Sequence, residues 1–165
     1  MIEGIINAPR ELVFKVVTEP DHIKHWWTPE NVELIICETD FRTGGILHFY
    51  LKTIDPNPDF FCKSKLEKRM LDKKIWGKAV YQEIIKPEKI VRTDFFSDAE
   101  GNRKYRMLSS KTITTLVEDE GKTKFVIKFQ YTSPLGWLLL RTNITKKQIT
   151  ESGDRLVKYI GSLQQ

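Results

Sequence analysis

The most constraining feature of this sequence is a run of strand-like segments that are joined by short turns. The segments 'IWGKAVYQEII', 'IVRTDFF', 'SKTITTLVE' and 'TKFVIKFQYT' are separated by connections that contain 'KPEK', 'SDAEGN' and 'DEGK'. Turns of a few residues join antiparallel neighbours, because a parallel crossover needs a dozen residues or more. The run therefore predicts an antiparallel sheet and argues against a doubly wound parallel one.

Two more strands are predicted upstream, in 'VELIICETDF' and 'ILHFYLKTI'. In the second, Leu47, Phe49 and Leu51 alternate with His48 and Tyr50, which is the period of a strand that buries one face. The intervening 'RTGG' predicts a hairpin turn, since glycine adopts the positive φ angles that tight turns require. A phosphate loop is not expected here, because the segment lacks the G-x-G-x-x-G pattern and leads into a strand.

Helical patterns are concentrated at the two ends of the chain. The segment 'NAPRELVFKVVTEP' predicts a helix with Asn7 as its cap, Pro9 in its first turn and Pro20 as its stop. A second short helix is predicted over Asp21 to Trp27, before Pro29. The amino-terminal part of the chain is therefore expected to form a small helix pair.

A long amphipathic helix is predicted for the tail, from about Asn143 to Leu163. Its apolar stripe contains Ile149, Gly153, Leu156, Ile160 and Leu163. A twisted antiparallel sheet curls, and one helix laid into the curl cannot fill it, so either large side chains plug the remainder or an apolar cavity stays open. Gly153 leaves space for such a cavity, or else permits close approach of the helix to the sheet.

Composition is typical of one globular domain, which is expected to span residues 1–165. With 40% hydrophobic and 30% charged residues, the chain needs neither disulfides nor metal to fold. Cys37 and Cys62 lie far apart and outside any Cys/His cluster, so both are expected to be reduced thiols. No apolar run approaches the roughly 18 residues of a membrane span, and the start lacks a secretory signal. A cytoplasmic protein is therefore expected.

The formal net charge of +5 raises the question of nucleic-acid binding. The densest basic stretch, 'CKSKLEKRMLDKK', interleaves Glu67 and Asp72 with its bases, as a solvated helix face does. A groove that binds the phosphate backbone of a nucleic acid would have its Lys and Arg side chains clustered on one face, so no nucleic-acid partner is expected. The stretch belongs to a long excursion from Asp55 to Lys74 that contains a possible helix of about two to three turns.

Four segments follow one another along most of the chain: 'NAPRELVFKVVTEPDHIKHWWTP', 'CETDFRTGGILHFYL', 'WGKAVYQEIIKPEKIVRTDFFSDAEGN' and 'ESGDRLVKYI'. In this order they resemble the START-like (SRPBCC) helix-grip superfamily, and within it the branch named after the activator of the heat-shock protein 90 ATPase. The resemblance implies an α+β fold like that of the birch-pollen allergen. In it, a curved antiparallel sheet of about six strands wraps around a long C-terminal helix, with a short helix pair near the N-terminus.

The chain departs from the pattern of that branch in three places. It has Ala79, Val80 and Tyr81 where relatives usually have Gly-Val-Tyr, and Ser152 and Gly153 where they often have Gly-Trp. The excursion after residue 55 is also longer than the hairpin of many members. These differences concern the floor and the rim of the expected cavity.

One interpretation of 'HIKHWWTP' is a metal site. His22 and His25 are spaced to share a helix face, but a third ligand would have to be His48, which points to the opposite sheet face, or a scattered carboxylate. We expect the two histidines to lie on a solvated helix face, with no metal and no cofactor. In the family this turn lies by the cavity entrance, so Trp26 and Trp27 are expected to diverge, one into the core and one across the mouth.

Enzymatic activity has no positive support, since the chain lacks a Ser-His-Asp order, a reactive-cysteine motif and a helical H-E-x-x-H. Tyr81 and Glu83 share a strand face and, if they point inward, would offer a donor and an acid for general acid/base chemistry. The alternative is a buried pair satisfied by hydrogen bonds of the fold. Asp40 and Arg42 are expected to form a structural ion pair.

The resemblance and the predicted curl together favour binding of a small hydrophobic or amphipathic ligand in an apolar cavity between the sheet and the C-terminal helix. A co-chaperone or stress-response module with a chaperone partner is an alternative, although we expect a lone domain without the extra amino-terminal domain of such co-chaperones. A cyclase- or hydrolase-type enzyme is a further alternative, and monomer and homodimer both stay open. The expected cavity residues are Trp26, Trp27, Phe49, Trp76, Tyr81, Glu83, Phe95, Phe129, Leu156 and Ile160.

Overall fold

A computed structural model describes residues 1–28, 32–54, 74–137 and 146–165. These residues form a seven-stranded antiparallel sheet in the order β1-β7-β6-β5-β4-β3-β2. The strands are β1 (Ile2–Ile6), β2 (Val32–Thr39), β3 (Ile46–Thr53), β4 (Lys74–Ile85), β5 (Lys89–Phe96), β6 (Ser109–Asp119) and β7 (Lys122–Tyr131). The predicted meander is therefore confirmed, since each strand from β2 to β7 lies beside the next one in sequence.

The sheet has one strand more than the six or so expected, because the apolar start of the chain pairs with its far edge. In β1, Ile2 lies opposite Ile127 and Ile6 opposite Thr123 of β7. Thr123 is fully buried, and its hydroxyl donates a hydrogen bond of 2.7 Å to the carbonyl of Ala8, just after the strand. The amino terminus is thus fastened to strand β7.

The predicted hairpin turn lies between β2 and β3, and its two glycines have different roles. Gly44 has a φ of +81°, where a side chain would be strained. A Cβ atom at Gly45 would overlap the backbone carbonyl of Asp40. Asp40 and Arg42 form an exposed ion pair of 2.8 Å beside the turn, as expected for a structural pair.

The amino-terminal helix pair is present but shorter than predicted. Helix α1 spans Arg10–Thr18 and α2 spans Pro20–Ile23. Pro9 occupies the N-cap position of α1 without a side-chain cap, so the capping role expected of Asn7 is wrong. Helix α2 ends four residues before Trp27, and the chain continues in turns that carry the tryptophan side chains toward the sheet.

The C-terminal helix α3 spans Lys146–Leu163. Leu156 and Ile160 are 2% and 1% exposed, which confirms the central part of the predicted stripe. Leu163 is 42% exposed, so the stripe does not extend to the last turn. Residues 143–145 of the predicted helix, and residues 55–73 of the predicted excursion, lie outside the described residues.

The hydrophobic core lies where α1 and α3 meet the concave face of the sheet. Its buried members include residues from both helices and from five strands: Ile6, Val13, Phe14, Val16, Leu47, Ala79, Tyr81, Ile90, Leu116, Leu156 and Ile160. The core packs α3 against the sheet. Four of its members also line the cavity on the concave face: Leu47, Tyr81, Ile90 and Leu156.

Candidate ligand-binding cavity

A cavity of about 410 Å³ lies against the concave face of the sheet. Strands β3 to β7, the turn after α2 and the helix α3 all contribute to its wall. This volume falls within the range of about 300–1,000 Å³ that is usual for small-molecule sites. Its aromatic lining consists of Trp26, Trp27, Phe41, Phe49, Tyr81, Phe95, Phe96, Phe125 and Phe129.

Seven of the ten side chains expected in the cavity lie in its wall. They come from six separate parts of the chain, and the fold brings them together: Trp26, Trp27, Phe49, Tyr81, Phe95, Phe129 and Leu156. The other three, Trp76, Glu83 and Ile160, are placed elsewhere, each for a different reason.

Trp76 lies on the outer face of the sheet. Along β4 the buried residues are Ile75, Gly77, Ala79 and Tyr81, so the alternation turns Trp76 outward. Its ring stacks between His48 and Tyr50 of β3, with ring centroids 5.1 and 4.8 Å away. Its expected place in the cavity is therefore wrong.

Glu83 does not share a face with Tyr81, because the strand register shifts between them. Tyr81 pairs with Arg92 and Glu83 with Val91, so an extra residue of β4 is accommodated as a bulge. Tyr81 is 3% exposed, whereas the Glu83 side chain is 45% exposed and forms an ion pair of 2.7 Å with Lys89. The proposed donor–acid pair for general acid/base chemistry is thus not assembled.

Ile160 belongs to the hydrophobic core, not to the cavity wall. It lies one helical turn beyond Leu156, which contributes to both. The helix therefore changes role along its length. The turn that contains Ser152, Gly153 and Leu156 faces the cavity, and the following turn packs into the core.

Gly153 contributes empty space to the site. A Cβ atom built on this residue would meet no heavy atom within 4 Å, although the residue lies in the cavity wall. Of the two expectations for Gly153, close packing of the helix on the sheet is therefore wrong. The glycine instead leaves open volume beside the cavity.

Phe49 and Gly77 shape the opposite wall. They are paired across β3 and β4, and the Phe49 ring lies directly over the glycine, where a Cβ atom would overlap it. The ring also meets Trp27 edge to face, at a centroid distance of 4.7 Å. Gly77 thus allows an aromatic side chain to lie flat along the sheet and to extend the apolar wall toward the tryptophan turn.

The two histidines of 'HIKHWWTP' contact the C-terminal helix. His22 Nδ1 lies 2.9 Å from the Tyr159 hydroxyl, and the His25 ring stacks on the Tyr159 ring at 4.7 Å. His22 is half-buried, so the expectation of a solvated face is wrong for it, whereas His25 remains exposed after the end of α2 even though its ring stacks on Tyr159. The described residues contain no group of three His, Cys, Asp or Glu side chains that could hold a metal ion.

Further hydrogen bonds fasten the tryptophan turn. Ser152 Oγ donates to the carbonyl of Trp27 at 3.0 Å, and Arg155 donates to the carbonyl of His25 at 3.3 Å. The Trp26 indole N–H donates to the carbonyl of Val16 at 3.1 Å. Both tryptophans line the cavity, but Trp26 also packs on the core while Trp27 contacts Phe49.

A polar row crosses the concave face between these apolar walls. Tyr81, Arg92 and Thr112 are directly opposite one another on β4, β5 and β6, and all three line the cavity. Arg92 Nε lies 3.0 Å from Asp94 Oδ1, and the Thr112 hydroxyl donates to Asp94 Oδ2. Neither Arg92 nor Asp94 is among the residues that the sequence predicts for the cavity. The available signal was a pair of opposite charges two residues apart on a central strand.

Burial controls the protonation of Tyr81 in this wall and of Cys37, which packs against the neighbouring core. Desolvation raises the pKa of Tyr81, although Thr39, at 3.3 Å from the phenol oxygen, and the charge of Arg92 act in the opposite direction. Desolvation also raises the pKa of the Cys37 thiol to about 11. Both groups are therefore neutral at physiological pH, and Cys37 is not a reactive thiolate.

A curled antiparallel sheet that holds a C-terminal helix, with a cavity between them, defines a helix-grip protein. Residues 7–161 match the family model described as "Activator of Hsp90 ATPase homolog 1-like protein". The chain belongs to this family. No match was found among curated proteins.

Solved structures share this fold at low sequence identity. Protein Ms6760 from Mycobacterium smegmatis is 18% identical, with a TM-score of 0.74 over 99% of this chain and 88% of its own. Protein NE0264 from Nitrosomonas europaea is 15% identical, with a TM-score of 0.76 over 99% and 94%. The AHSA1 protein from Silicibacter pomeroyi is 13% identical, with a TM-score of 0.64 over 99% and 97%.

Among the described residues, no helix combines the length and the apolar character that crossing a bilayer requires. Family membership and the fold together support a module of the ligand-binding or co-chaperone type.

Proposed function

We propose that the chain is a single domain that binds a small hydrophobic or amphipathic molecule in the cavity. The proposal depends on one observation: about 410 Å³ of open volume on the concave face, walled mostly by aromatic and aliphatic side chains. Trp26, Trp27, Phe49, Phe129 and Leu156 are the proposed apolar contacts. Because desolvation keeps Tyr81 neutral, its phenol is available as a polar contact in the same wall.

The expected affinity follows from the apolar area that a ligand can bury. A ligand that buries roughly 400 Å² gains about 10 kcal/mol, at about 25 cal/mol per Å². Association costs at least about 4 kcal/mol in lost translational and rotational freedom. The remaining 6 kcal/mol or so corresponds to a dissociation constant of some tens of micromolar. Polar contacts and good shape complementarity would tighten binding beyond this value.

A cavity-filling substitution tests the proposal. Gly153 and Gly161 are both exposed positions of α3 with no heavy atom within 4 Å of a built Cβ, but only Gly153 lies in the cavity wall, so Gly153→Leu adds its side chain at the cavity and Gly161→Leu adds it elsewhere. Both variants replace glycine by a better helix former within α3, so neither is expected to destabilise the helix. The variants differ in whether the new side chain enters the cavity.

Binding is measured by titration with N-phenyl-1-naphthylamine, a neutral dye that fluoresces in apolar surroundings. We expect saturable uptake by the wild-type chain and by Gly161→Leu, and at least tenfold weaker uptake by Gly153→Leu, with circular dichroism unchanged. Absence of uptake by the wild-type chain, or equal uptake by all three proteins, would contradict the proposal. Native mass spectrometry of protein from cell extract would then identify a co-purified molecule, which Gly153→Leu should lose.

A co-chaperone activity is the second candidate, and the description of the family favours it. The test is the ATPase rate of a purified Hsp90-type chaperone across increasing concentrations of this chain. Stimulation that saturates would support this function, and a flat response would argue against it. Repeating the assay with Gly153→Leu shows whether such an activity depends on the cavity.

A further inference from the structure

Arg92 and Asp94 are the charged residues of the cavity wall within the part of the chain that the structure describes. Their side chains are only 23% and 24% exposed, and they lie two apart on β5, so both face the concave side. Charged side chains are rarely this buried beside aromatic groups unless they are paired or bind something. Their hydrogen-bonding pattern indicates what an occupant of the cavity must offer.

Both oxygens of the Asp94 carboxylate have a partner within the protein. Its Oδ1 lies 3.0 Å from Arg92 Nε, and its Oδ2 accepts a hydrogen bond from the Thr112 hydroxyl. Asp94 therefore acts within the protein, where it balances the charge of Arg92.

The guanidinium of Arg92 is only partly engaged. It carries five N–H donors, one on Nε and four on the terminal nitrogens. The N–H of Nε is buried and makes no hydrogen bond, although Nε lies 3.0 Å from Asp94 Oδ1. A guanidinium in an apolar wall is stabilised by acceptors that meet these donors.

The net charge of the pair determines which acceptor is favoured. Arg92 and Asp94 sum to zero, so a carboxylate ligand would leave one uncompensated negative charge in an apolar cavity beside the Asp94 carboxylate. A carbonyl or hydroxyl oxygen accepts a charge-assisted hydrogen bond from Arg92 and adds no charge. The neutral phenol of Tyr81, opposite Arg92 in the register, presents no anion to repel it.

We infer that the ligand of this cavity is an uncharged apolar molecule with one oxygen acceptor, a carbonyl or a hydroxyl, which Arg92 binds. The inference depends on the proposed function, because it specifies the chemistry of that ligand. The apolar body of the ligand would extend from the polar row along the β3 side, where Leu47, Phe49 and Leu51 line the wall. Ser110 and Thr114 flank Thr112 on the cavity face of β6 and offer further hydroxyls to the same oxygen.

Three probes of one size test the inference: 2-acetylnaphthalene, 2-ethylnaphthalene and 2-naphthoate, each measured by displacement of N-phenyl-1-naphthylamine. For the wild-type chain we expect the ketone to bind about tenfold more tightly than the hydrocarbon and at least tenfold more tightly than the carboxylate. Equal binding of all three, or preference for the carboxylate, would overturn the inference and leave the proposed function standing. Failure of every probe and of the dye to bind would instead refute the proposed function.

Two variants show whether Arg92 and Asp94 cause the preference. Asp94→Asn keeps an acceptor for Thr112 but leaves the positive charge of Arg92 unbalanced, so 2-naphthoate should become the tightest of the three probes. Arg92→Met/Asp94→Asn removes both charges and should bind the ketone and the hydrocarbon within about twofold of each other. An unchanged order of affinities in Asp94→Asn would overturn the inference. The double variant leaves no unpaired charge in the cavity, so its binding can be interpreted even if Asp94→Asn fails to fold. Circular dichroism checks the fold of both variants.

Discussion

Replacement of Gly77 by alanine is the most direct test of how the cavity wall is built. In most strands this change stabilises the protein, because glycine loses more backbone entropy on folding. At position 77 the new Cβ atom would overlap the Phe49 ring, with two further ring atoms at 2.6 and 2.8 Å. The ring must leave its place over the sheet, where it also contacts Trp27.

The size of the effect follows from two opposing contributions. Overpacking of this kind costs about 1–3 kcal/mol, and relief of glycine entropy returns about 0.5–1 kcal/mol. We therefore expect a net loss of about 1–2 kcal/mol in the free energy of unfolding. For a chain of this length, that loss corresponds to a melting temperature lower by about 2–8 °C.

The assay is thermal and urea unfolding of Gly77→Ala beside Gly4→Ala. Gly4 lies in strand β1, and a Cβ atom there would meet no heavy atom within 4 Å, so this control should be neutral or stabilised. In a Phe49→Ala background the obstacle is gone, and Gly77→Ala should then stabilise the protein by about 0.5–1 kcal/mol, which gives a coupling energy of about 1.5–3 kcal/mol. A Gly77→Ala protein as stable as the wild type, or a loss undiminished without the Phe49 ring, would refute this reasoning.

Three further predictions concern the contacts around the cavity. Tyr159→Phe removes the hydroxyl that lies 2.9 Å from His22 Nδ1 but keeps the ring that stacks on His25. The free energy of unfolding, measured with urea, should therefore fall by about 0.5–1.5 kcal/mol. An unchanged free energy would mean that the hydrogen bond contributes nothing. Thr123→Val leaves the buried carbonyl of Ala8 without its donor and should cost about 1–3 kcal/mol, whereas Thr115→Val, at a half-buried position of β6, should change little. Because burial raises the pKa of Cys37 to about 11 from 9.0, alkylation by iodoacetamide at pH 8 should be on the order of 100-fold slower in the folded than in the unfolded chain, measured in a Cys62→Ser background. The folded thiol holds its proton more tightly, so the free energy of unfolding should fall as the pH rises from about 9 to about 11, and a Cys37→Ala variant should lack this fall.

The order of strands and helices could be predicted because it depends on local signals. Short turns such as 'DEGK' and alternating segments such as 'TKFVIKFQYT' can each be recognised from a few neighbouring residues. Together they predict the antiparallel meander that the structure has. Strand β1 was missed because its partner lies more than a hundred residues away along the chain. The same separation hid the contacts of His22 and His25 with Tyr159.

The cavity was harder to predict, because the apolar pattern does not show which face of a strand is concave. Strand β4 has large apolar residues on both faces. The largest of them, Trp76, lies on the outer face of the sheet. The better signal was Gly77, since a glycine in a strand often marks close approach of another group. Strict alternation predicts that Glu83 lies on the same face of β4 as Tyr81. The bulge between the two residues places Glu83 on the other face.

Arg92 and Asp94 are the residues whose position the hydrophobic pattern predicts least well. In 'IVRTDFF' the ordinary rule would expose the two charged side chains to solvent. The structure turns Arg92 and Asp94 toward the cavity, with the pair balanced internally. The polar row becomes visible only when Arg92 is seen opposite Tyr81 on one side and Thr112 on the other. This pairing depends on the register of the assembled sheet, so it could not be predicted from the sequence.

The pairing of the first strand with the last has a consequence for biosynthesis. Ile2 is translated 125 residues before Ile127, its partner in the sheet. At about 5–20 residues per second, the segment waits about 6–25 s on the ribosome before the complementary edge exists. During that interval 'IEGII' is an unprotected apolar edge on a nascent chain. Glu3, whose carboxylate later lies 3.5 Å from Lys124, supplies a charge that disfavours association with neighbouring nascent chains until the sheet is complete.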